Sequence, residues 1–254
     1  LWPVRYVNNP RVIGQEPGFV SINATLEVDL LGQCASESLG SRMWSGSGGQ
    51  ADFARGAMYS PGGQGFIVAH ATAHGGQVSR IVSQLTPGAA VTTIKNTVDK
   101  VVTEYGVADL KGKSDEECIQ ALICIADARF QSGLLAQARL EGKVDPAWEI
   151  PPRARHNTPA HLQQALAVAG ADKFPRFPFG SDLQPLELHL AKSLRALKRQ
   201  MSNWPGRLAA IGMLLRGGRS DKAREGLERL GLAKPKGLKQ KLLARLVGAA
   251  LCEQ

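Results

Sequence analysis

Six short apolar runs, FVSIN, LEVDLLG, GFIVAHA, VSRIV, AVTTI and VDKVVTEYG, punctuate residues 19–106. Several are rich in β-branched residues, and Gly, Pro or Asn bounds them, so they are too short for helices and suit pleated strands. Between them DFARGAMYS fits a short helix. SDEECIQALICIADARFQSGLLAQARLEG then turns helical. Ser114 is its N-cap, and the acids of its first turn meet the positive end of the helix dipole. Strands giving way to helices predict an α/β fold, an open layered sheet with flanking helices.

At Pro151 the pattern changes. PPRARHNTP reads as a break, since proline stops helices, and about five helices without strands are expected beyond it. PRFPFGSD, NWPG, RGGRSD and KPKG separate them. In LQPLELHLAKSLRALKRQM, Leu186, Leu190, Leu194, Leu197 and Met201 share one helical face, with Lys192, Arg195, Lys198 and Arg199 off it. Trp148, Phe174, Phe177, Phe179 and Trp204 read as packing residues around prolines. Charge changes at the same point. Residues 1–150 carry 12 basic and 15 acidic side chains, whereas residues 151–254 carry 19 and 7. Two regions are therefore predicted, an α/β domain over 1–150 and a basic, all-α extension over 151–254.

No apolar run reaches the roughly 18 residues of a membrane span. The opening LWPVRYVNNPR lacks the features of a signal peptide. A start at Leu1 leads us to expect the C-terminal part of something longer. Cys34, Cys118, Cys124 and Cys252 show no CxxC pairing and no histidines at metal spacing, so buried free thiols in a reducing cytoplasm are expected.

SGSGGQADFARG, Ser45 to Gly56, crowds four glycines into a loop that runs into a helix start, an arrangement that offers bare N–H groups to an anion. GSGGQA formally fits the dinucleotide fingerprint. The acid that should follow about 20 residues later is missing, since no Asp or Glu occurs between Asp52 and Asp99. There is no GxxxxGK[ST] P-loop. The acid-free span, which holds PGGQG, AHATAHGGQ and Arg80, suits a polyanionic ligand, and equally suits buried strands that avoid charge. His70 and His74 stand four apart, but in a strand-like run that separates them, and no third ligand is apparent, so no metal is expected. Glu104 ends an apolar strand before Gly106, either where open α/β sheets place their chemistry or simply as a turn cap.

Taken in order, YVNNP, SINATLEVDLLGQ, SGSGGQADFARGA, ATAHGGQVSRIV and VVTEYGVADLKGKS resemble the C-terminal domain of the acetyl-CoA hydrolase/CoA-transferase family, over roughly residues 5–140. Within that family the resemblance is to 4-hydroxybutyrate CoA-transferases, and it implies acyl-CoA metabolism, with acetate among the acids handled. It implies coenzyme A as part of an acyl-CoA substrate, and catalysis through a glutamyl-CoA thioester whose nucleophilic glutamate lies upstream of this chain. By the same resemblance Gly49 supplies an oxyanion N–H and Ser45 lies near the CoA chain. Asn8 and Glu104 line the acyl pocket, and Leu26 touches CoA. His74 stands where relatives carry a lysine close to CoA. The implied partners are an acyl-CoA, a small carboxylate or water, and the N-terminal half of the same enzyme, with a homo-oligomer allowed and no membrane. A different class of reading makes this a non-catalytic module whose basic tail binds nucleic acid or an anionic surface. No helix-turn-helix or RNA-binding signature supports it.

Overall fold

The structure, a computed structural model, describes residues 1–170, 173–175, 177–216 and 220–252. The chain divides into two compact units, Leu1–Lys173 and Phe174–Gln254.

Unit 1 begins with two single-turn helices, α1 (Val4–Val7) and α2 (Pro10–Ile13). Strands β1 (Val20–Ala24), β2 (Glu27–Asp29), β3 (Cys34–Ala35), β4 (Ser38–Leu39) and β5 (Arg42–Met43) lead to helix α3 (Gln50–Tyr59). There follow β6 (Gln64–Val68), β7 (Thr72–Ala73), β8 (Val78–Ser79), β9 (Ile81–Val82), β10 (Lys100–Thr103) and β11 (Gly106–Asp109). The principal sheet has the order β1-β6-β10-β11. Its first three strands are parallel, and β11 returns antiparallel to β10. A smaller sheet, β3-β2-β9, stands beside two hairpin-like pairs, β4-β5 and β7-β8.

Helices α4 (Asp115–Cys124) and α5 (Ala128–Leu140) follow the last strand. Ser114 and Glu117 form a reciprocal capping box at α4, and Asp115, Glu116 and Glu117 face the helix dipole. The helical stretch expected from the sequence divides into these two helices. Ile125 ends α4, and Asp127 starts α5 by accepting the N–H of Arg129 at 3.1 Å. AVTTI forms no strand either. Its Thr93 makes one bridge to Cys34, while the Thr92 and Thr93 hydroxyls accept from the Ser36 N–H and Gln50 Nε2.

Alternation assigns the two faces of the principal sheet. Ser21, Gly65, Ile67, Val101 and Ala108 are buried with the core that includes Ile119, Leu122 and Ile123 of α4. Val20, Ile22, Phe66, Val68, Val102 and Val107 share the other face by register. Ile22 is 67% exposed and Val107 56%, so this apolar face is open. Parallel strands are ordinarily covered on both sides.

The compact unit continues beyond Pro151, where the composition changes. Ala154, in a short 3-10 turn (Pro152–His156), joins the first core, and Asn157 Nδ2 donates to the Cys124 and Ala126 carbonyls. Helix α6 (Pro159–Ala169) follows. Unit 2 contains α7 (Pro185–Gln200), α8 (Trp204–Arg216), α9 (Asp221–Arg229) and α10 (Gly237–Cys252), with no strand among the described residues. Leu190 and Leu197 of α7 are buried with Met213, Ala223, Val247 and Leu251, and Leu186 and Leu194 pack at the margin. Met201, expected on the same face, is 41% exposed, because α7 has already ended at Gln200.

Trp148 packs on the first core, as the sequence suggested, whereas Phe174, Phe179 and Trp204 are exposed. All four cysteines are free, but only Cys34 and Cys118 are buried. Cys124 is half-buried, and Cys252, near the end of α10, is exposed. Of the breaks RGGRSD and PRFPFGSD, Gly217, Gly218, Arg219 and Arg176 lie outside the described residues. Among the described residues no helix is long and apolar enough to cross a membrane.

Candidate active site

The glycine loop ends where α3 begins. Gly49 is the N-cap, in a non-helical conformation (φ −102°, ψ 6°), and no side chain caps the helix. The first N–H groups of a helix have no partners within it, so α3 presents bare donors at this point. The Asn8 side chain lies directly over the glycine. A Cβ added to Gly49 would stand 2.5 Å from Asn8 Nδ2 and 2.9 Å from Cε2 of Phe53. The absence of a side chain therefore lets the Asn8 amide come close to the start of α3, with the Phe53 ring, stacked on Phe19, packed against the same glycine. Ser45 is on the exposed part of the loop, and its hydroxyl donates to the Gly46 carbonyl at 2.9 Å.

A second group gathers at the C-terminal ends of the parallel strands. Leu26 follows β1, His70 and Ala71 follow β6, and Glu104 follows β10. Glu104 Oε2 accepts the Ala71 N–H at 2.7 Å and lies 3.8 Å from Nδ1 of the exposed His70. The carboxylate thus ties two neighbouring strand ends together while remaining 22% exposed. No hydrogen bond or ion pair joins this group to Asn8 and Gly49 among the described residues.

His74 does not join either group. It is exposed and opens a 3-10 turn, His74–Gly76, with a left-handed backbone (φ 50°), a rare conformation for a residue with a side chain. The turn is backed by Arg129, whose Nη2 would lie 2.9 Å from a Cβ at Gly76. Arg129 in turn grips the fully enclosed Asp127, with Nε and Nη2 each 2.8 Å from a carboxylate oxygen. The Tyr105 hydroxyl donates to the same carboxylate at 3.2 Å. The Arg129 hydrogen bonds hold the Asp127 carboxyl below the usual range, and the carboxylate holds the guanidinium above its own. Burial, followed by the Asp127 charge, pushes the Tyr105 phenol up to about 12.

This triad links the turn after β10, the start of α5 and the His74 turn, and sequence reasoning missed it. The signal was Asp-Ala-Arg after an apolar run, the pattern of an N-cap, inside a stretch that read as helical throughout. A groove of about 750 Å³ is lined by Tyr105, Lys113, Glu117, Cys124, Trp148 and Arg153 among others, and none of the residues singled out from the sequence as site candidates lines it. Among the described residues no three His, Cys, Asp or Glu side chains come together as metal ligands.

Residues 1–138 match the family described as Acetyl-CoA hydrolase/transferase C-terminal domain. The chain is 55% identical over 144 residues to a succinyl-CoA:cyclohexane-1-carboxylate CoA transferase of Geobacter metallireducens, covering 57% of this chain and 33% of that one. It is 53% identical over 134 residues to a 4-hydroxybutyrate coenzyme A transferase of Clostridium kluyveri, covering 53% and 31%. The chain spans about a third of the length of these curated relatives. Among solved structures, RipA from Yersinia pestis is similar with a TM-score of 0.52 and 42% identity, over 56% of this chain and 32% of that one.

Proposed function

We propose, because this chain belongs to the acetyl-CoA hydrolase/transferase family through that family's C-terminal domain, that residues 1–150 are the CoA-binding and oxyanion-stabilising part of an acyl-CoA hydrolase or CoA-transferase. Residues 151–254 are read as a basic helical extension outside the chemistry. In this reading a glutamate carboxylate outside the chain attacks the thioester carbonyl. The tetrahedral intermediate collapses to a mixed anhydride and CoA thiolate. The thiolate then attacks the glutamyl carbonyl, releasing the acyl carboxylate and leaving a glutamyl-CoA thioester. An acceptor carboxylate, or water, resolves that thioester.

The observation that supports this reading most is the Asn8 amide lying over Gly49 beside the uncapped start of α3. Each step passes through an oxyanion, and donors already fixed in place are what lowers its energy. Glu104 is assigned to the acyl pocket, and Leu26, Ser45 and His74 to the CoA side. The attacking half of the enzyme is assigned to the open apolar face of the principal sheet, where Val20, Ile22 and Val107 need cover. The proposed setting is cytoplasmic acyl-CoA and acetate metabolism, and the route calls for no metal.

The test is to mix the full-length enzyme with acetyl-CoA and locate the CoA adduct by peptide mass. The proposal expects the adduct on a glutamate outside these 254 residues. An adduct on Glu104 would overturn it.

A further inference from the structure

Arg80 lies between β8 and β9, at the crossing of three segments. Its N–H donates to the Ala71 carbonyl and its carbonyl accepts from the Val28 N–H, each at 2.9 Å. Its Nη1 donates to the Thr25 carbonyl, just beyond the end of β1, at 3.2 Å. The guanidinium has no other partner among the described residues. Nε is enclosed and unpaired, and among the described residues no carboxylate lies within ion-pair distance. A half-buried cation without a counter-charge is a costly arrangement unless something completes it.

The surroundings narrow what completes it. No Asp or Glu occurs from Phe53 to Val98, so the segment that carries Arg80 offers it no counter-charge. Glu27, on β2, is committed elsewhere, with both carboxylate oxygens bonded to Thr86. Ala71, whose carbonyl accepts the main-chain N–H of Arg80, gives its own N–H to Glu104, while the guanidinium itself reaches Thr25 just past β1, so both side chains are anchored to segments at the C-terminal edge of the sheet. That edge is where open α/β sheets bind ligands.

We infer that Arg80 binds an oxyanion of the substrate at this edge. The inference rests on the acyl-CoA reading and adds a site to it. A phosphate and a carboxylate share the chemistry that a guanidinium recognises, through paired N–H donors. The phosphate would come from CoA and the carboxylate from the acid that gives or receives the acyl group.

The experiment is equilibrium binding of CoA, pantetheine, pyrophosphate and succinate to the full-length wild type, Arg80→Gln and Arg80→Lys. If CoA supplies the anion, Arg80→Gln weakens CoA and pyrophosphate about tenfold or more. Pantetheine, which has no phosphate, is then unaffected. If the acid supplies it, the loss appears with succinate instead. In either case Arg80→Lys retains part of the affinity, which a lost packing contact would not explain. Unchanged binding of all four probes would overturn the inference, and so would an equal loss for all four, pantetheine included. Wild type that binds pyrophosphate through Arg80 but neither CoA nor pantetheine would overturn the acyl-CoA reading and leave the anion site standing.

Discussion

Buried carboxylates distinguish the two units. In unit 1, Glu27, Asp29, Asp99 and Asp127 are all enclosed, and each is matched. Asp29 accepts from the N–H groups of Leu31 and Gln33 and from the Gln33 side chain, and Asp99 accepts the Gly65 N–H and the Lys100 ammonium. In unit 2 the described buried residues are apolar apart from Ser193 and the glycines Gly226 and Gly248, and charge is kept outside, as in the Glu187–Arg229 pair at 2.7 Å. A buried carboxylate is tolerated only where donors are fixed around it, and those donors fix the backbone in return. Unit 1 therefore spends sequence on holding loops and strand ends in place, which a site needs. Unit 2 is held by packing.

The largest expected effects come from core truncations that separate the two. Leu122→Ala removes a fully enclosed side chain from the first core, and Leu197→Ala a buried one from the second. Each should cost its own unit about 3 kcal/mol. Two resolved transitions in calorimetry, each moved by only one of the substitutions, would confirm that the cores are independent. A single transition moved by both would break the comparison.

Two glycines sharpen it. A Cβ at Gly49 would press on Asn8 and Phe53, and a Cβ at Gly226 on Leu251 and Leu190. Gly49→Ala in the full-length enzyme should lower turnover about 10²-fold, the scale of losing an oxyanion donor. Gly226→Ala should destabilise unit 2 and leave turnover alone. Equal effects of the two on steady-state rate would contradict the assignment of chemistry to unit 1.

The Asp127 triad gives smaller effects. Asp127→Ala removes an N-cap and leaves the Tyr105 hydroxyl without its acceptor, at a cost of about 2 kcal/mol by denaturant unfolding of unit 1. Because the folded Asp127 carboxyl is held low, its contribution to stability is complete above the unfolded value of about 3.9. It is lost as pH falls through the lower folded value. The Tyr105 phenol is raised, so its contribution is complete below about 10 and is lost as pH rises towards about 12. Ultraviolet titration should show a late tyrosine that Tyr105→Phe removes. A chain whose tyrosines all titrate together near 10 would dissolve the triad.

Much of unit 1 was legible in the sequence because β-branched runs between turn residues have one good solution. FVSIN, GFIVAHA and VDKVVTEYG became β1, β6 and β10, and DFARGAMYS became most of α3. AVTTI misled because its threonines use their hydroxyls on neighbouring segments, which composition does not reveal. Asp127 was read as one more helical residue, although a short acid that caps a new helix looks the same in sequence. At the candidate site, the glycine loop announced a bare helix start. That Asn8 lies over it, 41 residues away, is a matter of tertiary packing. The Arg80 guanidinium was likewise just one cation in an acid-free span until its neighbours were in place.

The most direct test of the central claim, that this chain orients and stabilises but does not attack, uses the purified 254-residue chain itself with acetyl-CoA and succinyl-CoA. Thiol release is followed with time, and the protein mass is read for a glutamyl-CoA adduct. The account predicts no release above the buffer rate and no adduct, with activity appearing when the rest of the enzyme is supplied. Sustained thiol release that Glu104→Gln abolishes would contradict it and make Glu104 the nucleophile.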